Sequence, residues 1–209
     1  MTDQEAADSS VVVDLELWFD LVDPWSWFAK RRVEMAIAAF ERPADVALRL
    51  RSFEVAPEQV AVLPASARQV AGHELVGDDY EIPWDRAGWV STFDAHRLCE
   101  LARELGGPAL QSAAVERFFF AHFVEGHAID DLEVLQRAGA ECGLDERRVA
   151  AVLAGTAYGD EVRRDEEMAR ALDVVVVPFL VANGSATLPG VHPTEDYLAF
   201  LREVATTQV

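Results

Sequence analysis

Sulfur is scarce in this chain. The two cysteines among its 209 residues, Cys99 and Cys142, stand far apart, each in a helical pattern with apolar neighbours. That spacing excludes a Cys-x-x-Cys redox pair and a zinc framework, and leaves either two buried reduced thiols or one structural disulfide. Long hydrophobic runs are missing too. The longest, Val174 to Ala182, is interrupted by Pro178 and falls far short of the roughly 20 residues of a membrane helix. The first residues are acidic rather than basic and apolar, so no signal peptide or anchor is expected and the cytoplasm is the expected setting. Basic residues are few: 18 Lys plus Arg oppose 37 Asp plus Glu, a net charge of −19. Such a chain repels phosphate backbones and anionic head groups, which removes nucleic acid and membrane from its expected partners. His73, His127 and His192 are scattered with no ligand spacing, so no metal site is indicated. No internal repeat or low-complexity segment is present.

What is present is an alternation of strand and helix patterns. Residues 1–10 read as a polar tail. Val11 to Phe19 is β-branched and aromatic and reads as a strand. Asp23-Pro24 then opens a helix to about Phe40, and Val46 to Phe53 reads as a second strand, giving a right-handed β-α-β unit with parallel strands. From about Ser66 to Leu172 the spacing turns helical, with helices expected at 93–105, 109–124, 131–142, 145–154 and 160–172. Several have acidic N-caps and glycine stops, as in Ile129-Asp130-Asp131 and Cys142-Gly143. A strand from Val174 to Ala182, an Asn183-Gly184 turn, a partner strand from Ser185 to Leu188 and a helix from Pro193 to about Ala205 close the chain. The expected fold class is α/β. Residues 11–65 and 173–209 form a small mixed sheet with flanking helices, interrupted by an all-helical insertion over 66–172.

At the junction of the first strand and helix stand Asp23-Pro24-Trp25-Ser26. With Trp18-Phe19-Asp20-Leu21-Val22 before them and Lys30-Arg31-Arg32 after, they open a series of matching pieces. The series continues through Arg51-Ser52-Phe53-Glu54, Thr92-Phe93-Asp94-Ala95-His96-Arg97-Leu98, Phe123-Val124-Glu125-Gly126, Ala157-Tyr158, Glu161-Val162-Arg163 and Val177-Pro178-Phe179. On these pieces the chain resembles the FrnE-like branch of the DsbA family from Val12 to Val204. The resemblance implies a thioredoxin-like fold with a helical insertion. Redox members carry cysteines where this chain has Asp23 and Ser26, and dithiol exchange needs two thiols. The tetrapeptide also looks like the Ser-Pro-aromatic-Ser of kappa-class glutathione transferases and 2-hydroxychromene-2-carboxylate isomerases, whose first Ser holds or activates the glutathione sulfur. Asp23 at that position disfavours glutathione or another small thiol, because a carboxylate beside a thiolate is a like-charge pair. No cofactor is therefore expected.

Two readings of Asp23 stand. It is a helix N-cap followed by Pro24 at the first helical position, or it is a general acid or base at a pocket mouth. The helix dipole argues for an ionised carboxylate there, and burial against aromatics argues for a neutral one. Ser26 either completes the cap or orients a ligand. Trp25 either stacks a flat substrate or covers the site, while Trp27 belongs to the core. Val177-Pro178 corresponds to the family's cis-proline loop, which the resemblance places against the site. In the helical block, Phe93, His96, Phe119 and His122 are satisfied helix residues, or they line an apolar pocket in which His96 shares proton transfer with Asp23.

Three functions follow. The first is a non-redox enzyme that converts an apolar aromatic small molecule by acid/base chemistry, isomerase- or cyclase-like, in a secondary-metabolic setting such as polyketide synthesis by family analogy. The second is a thioredoxin-fold module that binds a ligand or extended peptide without chemistry. The third is the family's general activity, thiol-disulfide exchange, or a glutathione-dependent isomerase or transferase reaction. A homodimer is an assembly the resemblance implies.

Overall fold

The computed structural model describes residues 13–56, 68, 72–75 and 83–207. The expected tail and the onset of the helical block near Ser66 lie outside these residues. β1 (Val13–Phe19) leads through a short turn into α1 (Pro24–Ala39). A single 3-10 turn at Pro43–Asp45 then feeds β2 (Val46–Ser52). Four helices follow: α2 (Phe93–Phe123), α3 (Leu132–Glu141), α4 (Glu146–Ala154) and α5 (Gly159–Ala171). The chain returns to the sheet as β3 (Phe179–Ala182) and β4 (Ala186–Pro189) and closes with α6 (Thr194–Thr206). Among the described residues no helix is long and apolar enough to cross a membrane.

The sheet order is β2-β1-β3-β4. β1 runs parallel to β2, from Val13 opposite Val46 to Phe19 opposite Ser52. It runs antiparallel to β3, from Leu15 opposite Ala182 to Trp18 opposite Phe179. Asn183 (φ 52°) and Gly184 (φ 68°) take the two left-handed positions of the β3–β4 hairpin, which is why Asn-Gly suits it. The expected strand from Val174 starts only at Phe179. Asp173 has φ 55°, and the Val177–Pro178 bond is cis. A proline has no N–H for the ladder, so pairing begins after it.

β1 buries Val13, Leu15, Leu17 and Phe19 on one face and Trp18 on the other, and its period of two divides the core. Leu15, Leu17 and Phe19 join the main cluster, whereas Trp18 points the other way into a second cluster with Ala169, Val174 and Val181. α5 covers that second face through polar bonds as well as packing. Buried Asp165 accepts from the Arg51 guanidinium at 2.7 Å and from the Ser52 N–H at 3.1 Å, and its carbonyl accepts the Trp18 indole N–H at 3.0 Å. The open edge of β2 is partly closed by α2, whose Gln111 donates to the Leu50 carbonyl at 3.0 Å.

The two helices expected at 93–105 and 109–124 are one element with a break. Gly106 (φ −139°, ψ 15°) and Gly107 (φ 66°, ψ −160°) leave the helical region, and Pro108 restarts it. Gly107 occupies backbone space that is essentially glycine-only. Nothing lies within 4 Å of where its Cβ would be, so the cost of a side chain there is backbone strain alone. Gly107→Ala should lower stability by about 1–3 kcal/mol in urea unfolding. A loss below about 0.5 kcal/mol, the level of an ordinary surface change, would contradict this account.

Candidate active site

β1 and β2 end side by side, and the chain leaving each must satisfy its backbone groups inside the core. Asp20, the first residue after β1, does so for both. One carboxylate oxygen accepts the Leu21 N–H at 2.6 Å, and the other accepts the Val55 N–H at 2.6 Å beyond the end of β2. His96 Nε2, from the first turns of α2, lies 3.4 Å from Asp20 Oδ1, with both side chains fully buried. A backbone bond from Asp23 N–H to the Asp20 carbonyl (3.2 Å) tightens the turn that sets up the helix.

Asp23 is the N-cap of α1. Its Oδ2 accepts the Ser26 N–H at 2.9 Å and the Ser26 hydroxyl at 2.7 Å, while Oδ1 has only the Trp25 N–H at a long 3.4 Å. Ser26 Oγ in turn accepts the Asp20 N–H at 3.3 Å. The hydroxyl therefore donates to Asp23, and Oδ1 is the oxygen on which a proton can sit. Burial pushes the Asp23 carboxyl from 3.8 up to about 7. The Ser26 and Trp25 hydrogen bonds pull it down, and the Asp20 charge adds to the rise. Burial thus outweighs the helix dipole at this N-terminus.

The other expected site residues are distributed unevenly. Half-buried Trp25 tilts against Phe28 at 5.8 Å between ring centroids. The β1–β3 register ends at Trp18 and Phe179, so cis Val177–Pro178 lies just beyond the end of that ladder. His96 meets Asp20 and the Phe19 ring (5.1 Å) rather than Asp23, and its Nδ1 is buried without a hydrogen bond. His122 is also buried, with Nδ1 3.3 Å from the His127 carbonyl and Nε2 without a hydrogen bond. Burial lowers its pKa, against upward pulls from the His127 carbonyl and the Asp20 charge. Phe119 is core, stacked on Trp27 at 5.6 Å. Phe93 is held between the guanidiniums of Arg163 (4.3 Å) and Arg97 (5.8 Å). The four α2 side chains expected in one pocket thus split between a polar group behind Asp20, the core and a surface stack.

Asp20 itself was not singled out by sequence. The signal was there, a carboxylate inside the apolar stretch Trp18-Phe19-Asp20-Leu21-Val22, a place where an acid persists only with built-in partners. Both cysteines are free. The Cys99 thiol lies in the core on α2, and Cys142 caps α3 with Sγ 3.1 Å from the Gly139 carbonyl. Burial raises both pKa values, the opposite of what a reactive thiolate needs. A cleft of about 260 Å³ lies elsewhere, between Ile37, Leu48, Leu50 and Pro108, and does not reach the tetrapeptide.

Residues 14–202 match the family described as the DSBA-like thioredoxin domain. Among solved structures, the chain is similar to a probable DsbA oxidoreductase of Streptomyces coelicolor at 29% identity and a TM-score of 0.71, covering 92% of this chain and 89% of that one. The cytosolic disulfide reductase DsbM of Pseudomonas aeruginosa, solved with GSH, is similar at 18% identity and a TM-score of 0.65, covering 94% and 100%. A 2-hydroxychromene-2-carboxylate isomerase is similar at 18% identity and a TM-score of 0.62, covering 93% and 95%. At 18% identity the last two share the fold. No curated protein matches the sequence.

The raised Asp23 carboxyl has a consequence for stability. A carboxyl at about 7 in the fold and 3.8 when unfolded stabilises the fold fully below pH 4 and loses that contribution as pH rises through 7. Asp23→Asn keeps a good cap but has no proton to lose. Wild-type stability relative to Asp23→Asn should therefore fall between pH 4 and 8, by as much as about 4 kcal/mol, in urea titrations. A difference that stays flat over that range would refute the raised value.

Proposed function

The chain belongs to the family of DSBA-like thioredoxin domains, and from that premise we propose that it is a non-redox member in which Asp23 acts as a general base on an apolar, aromatic small molecule. The observation that carries this reading is the Asp23 carboxyl itself. It is buried, raised to about 7, and saturated by Ser26 on Oδ2 while Oδ1 keeps only one long contact. A base works best with a pKa near the working pH, where it is both ionised often enough and basic enough.

The roles then follow from geometry. Ser26 holds Oδ2 through its N–H and O–H during the whole cycle, so the proton taken from the substrate arrives on Oδ1. Trp25, half exposed beside the helix start, offers a ring face to a flat substrate. The backbone at Val177 and Pro178 borders the same end of β1 and supplies a wall. A thiolate next to Oδ1 would raise the Asp23 carboxyl and be raised in turn, so the site suits an uncharged atom. Proton transfer next to a carbonyl, as in an isomerisation or cyclisation, fits these parts. His96 bonds Asp20 and enters this scheme only through it.

Two sulfur-free positions in the tetrapeptide and two thiols made less acidic by burial weigh against disulfide exchange. A cap without chemistry is the rival that Asp23 itself allows, since it receives the Trp25 and Ser26 N–H groups.

The test uses 2-hydroxychromene-2-carboxylate and a panel of uncharged aromatic enones as probes. Asp23→Asn should reduce kcat/KM for the converted probe by about 10²–10⁴-fold, the span of a general base, with the fold retained by near-UV circular dichroism. Wild-type kcat/KM should rise with pH through a single titration near 7, because the ionised form is the active one. Unchanged turnover in folded Asp23→Asn leaves only the cap. Insulin reduction by the wild type that disappears when Cys99 and Cys142 are changed to Ser would establish the redox alternative instead.

A further inference from the structure

The segment that leads into α2 runs alongside the residues that leave β2. The Ser91 hydroxyl donates to the Glu54 carboxylate at 3.4 Å, and the Trp89 indole N–H donates to the Val55 carbonyl at 3.2 Å. The Val55 N–H goes to the Asp20 carboxylate at 2.6 Å, and the Asp20 carbonyl accepts the Asp23 N–H at 3.2 Å. Val55 is thus clamped between the side chain at the end of β1 and the indole. Only its own backbone separates the two bonds, which puts the Trp89 nitrogen within roughly 10 Å of the Asp20 carboxylate. Trp84, Ala87 and Val90 pack on the main core and anchor the segment. Trp89, between Gly88 and Val90, is 47% exposed, the largest exposed apolar side chain among the described residues. The bond to Val55 fixes an indole that solvent would otherwise leave free to change rotamer.

We propose that Trp89 is a specificity-determining residue that stacks on the aromatic ring of a substrate held at Asp23. The proposal rests on the reading that an apolar aromatic molecule binds beside Asp23, and it adds the residue that selects the ring. Trp25 reaches that ligand from the start of α1, and Trp89 reaches it from the approach to α2. The one polar atom of the Trp89 ring is already used by the Val55 carbonyl, so the ring offers a ligand π surface and no hydrogen bond. Such a surface favours a flat aromatic ring over a saturated ring of the same size, because offset stacking needs two planar faces. The anchored indole also binds with little further loss of rotamer freedom, which makes it a preorganised contact.

The experiment is ¹⁹F NMR on full-length Asp23→Asn protein carrying fluorotryptophan, with Trp89→Phe used to assign the Trp89 resonance. The probes are benzylideneacetone, an uncharged aromatic enone, and its cyclohexyl analogue. The Trp89 resonance should shift saturably with benzylideneacetone. The preference for benzylideneacetone over the cyclohexyl analogue should fall by about 3- to 10-fold in Trp89→Ala and be largely kept in Trp89→Phe, which retains a ring face. A Trp89 resonance unmoved at saturation, an undiminished preference in folded Trp89→Ala, or no saturable binding of either probe overturns the proposal. If Trp89→Ala fails to fold, the shift of the Trp89 resonance decides. These signals report binding and not turnover. Turnover that persists in Asp23→Asn would remove Asp23 as the base while leaving the Trp89 contact standing, and a silent Trp89 beside lost turnover would do the reverse.

Discussion

The Asp20 carboxylate is the interaction on which this end of the molecule depends. β1 is an inner strand of the sheet, and Trp18, Phe19, Asp20 and Leu21 at its end are all buried, so the chain must turn into α1 without water to satisfy the turn. The same problem arises one strand away, where β2 ends and the segment toward the insertion begins. Asp20 answers both with one side chain, accepting Leu21 N–H on one oxygen and Val55 N–H on the other. Through its own N–H it orients Ser26, and through His96 it fixes the first turns of α2. The sheet, the first helix and the insertion therefore converge on a single side chain.

The insertion is attached at a second place by the same physical device. Asp165 on α5 takes Arg51, the Ser52 N–H and, through its carbonyl, the Trp18 indole. Polar groups buried this deeply are tolerated only when their partners are complete, and their geometry then permits one docking position where apolar contact alone would permit sliding. The two anchors, Asp20 on one side and Asp165 on the other, hold the helical block against β1 and β2.

An aspartate and a thiol place different demands on a helix start. A helix N-terminus favours an anion, which is useful to a thiol that must ionise. A carboxylate is ionised without help, and at the surface the same position would only strengthen the cap. Here the position is buried and a second carboxylate lies behind it. The balance therefore reverses, and burial pushes the Asp23 carboxyl up to about 7.

Much of the fold was legible in the chain. Period-two strands, helical spacing, Asp23-Pro24 as a helix start, the acidic cap in Asp130-Asp131 and Asn183-Gly184 as a hairpin are local signals, and the structure carries each of them. The start of β3 was misplaced because Val174 to Val177 has strand-like residues, and only the path of the backbone decides that pairing begins at Phe179. The sequence by itself determined the absence of a dithiol, the elements and their order, and the residue at the helix start. The tertiary structure alone decided which side chains meet. His96 joined Asp20 instead of Asp23, Phe119 went to the core, and an aspartate at a strand end became the partner of a distant backbone N–H. Local propensity acts over a few residues, whereas the proton affinity of Asp23 depends chiefly on burial, which only the packed fold supplies.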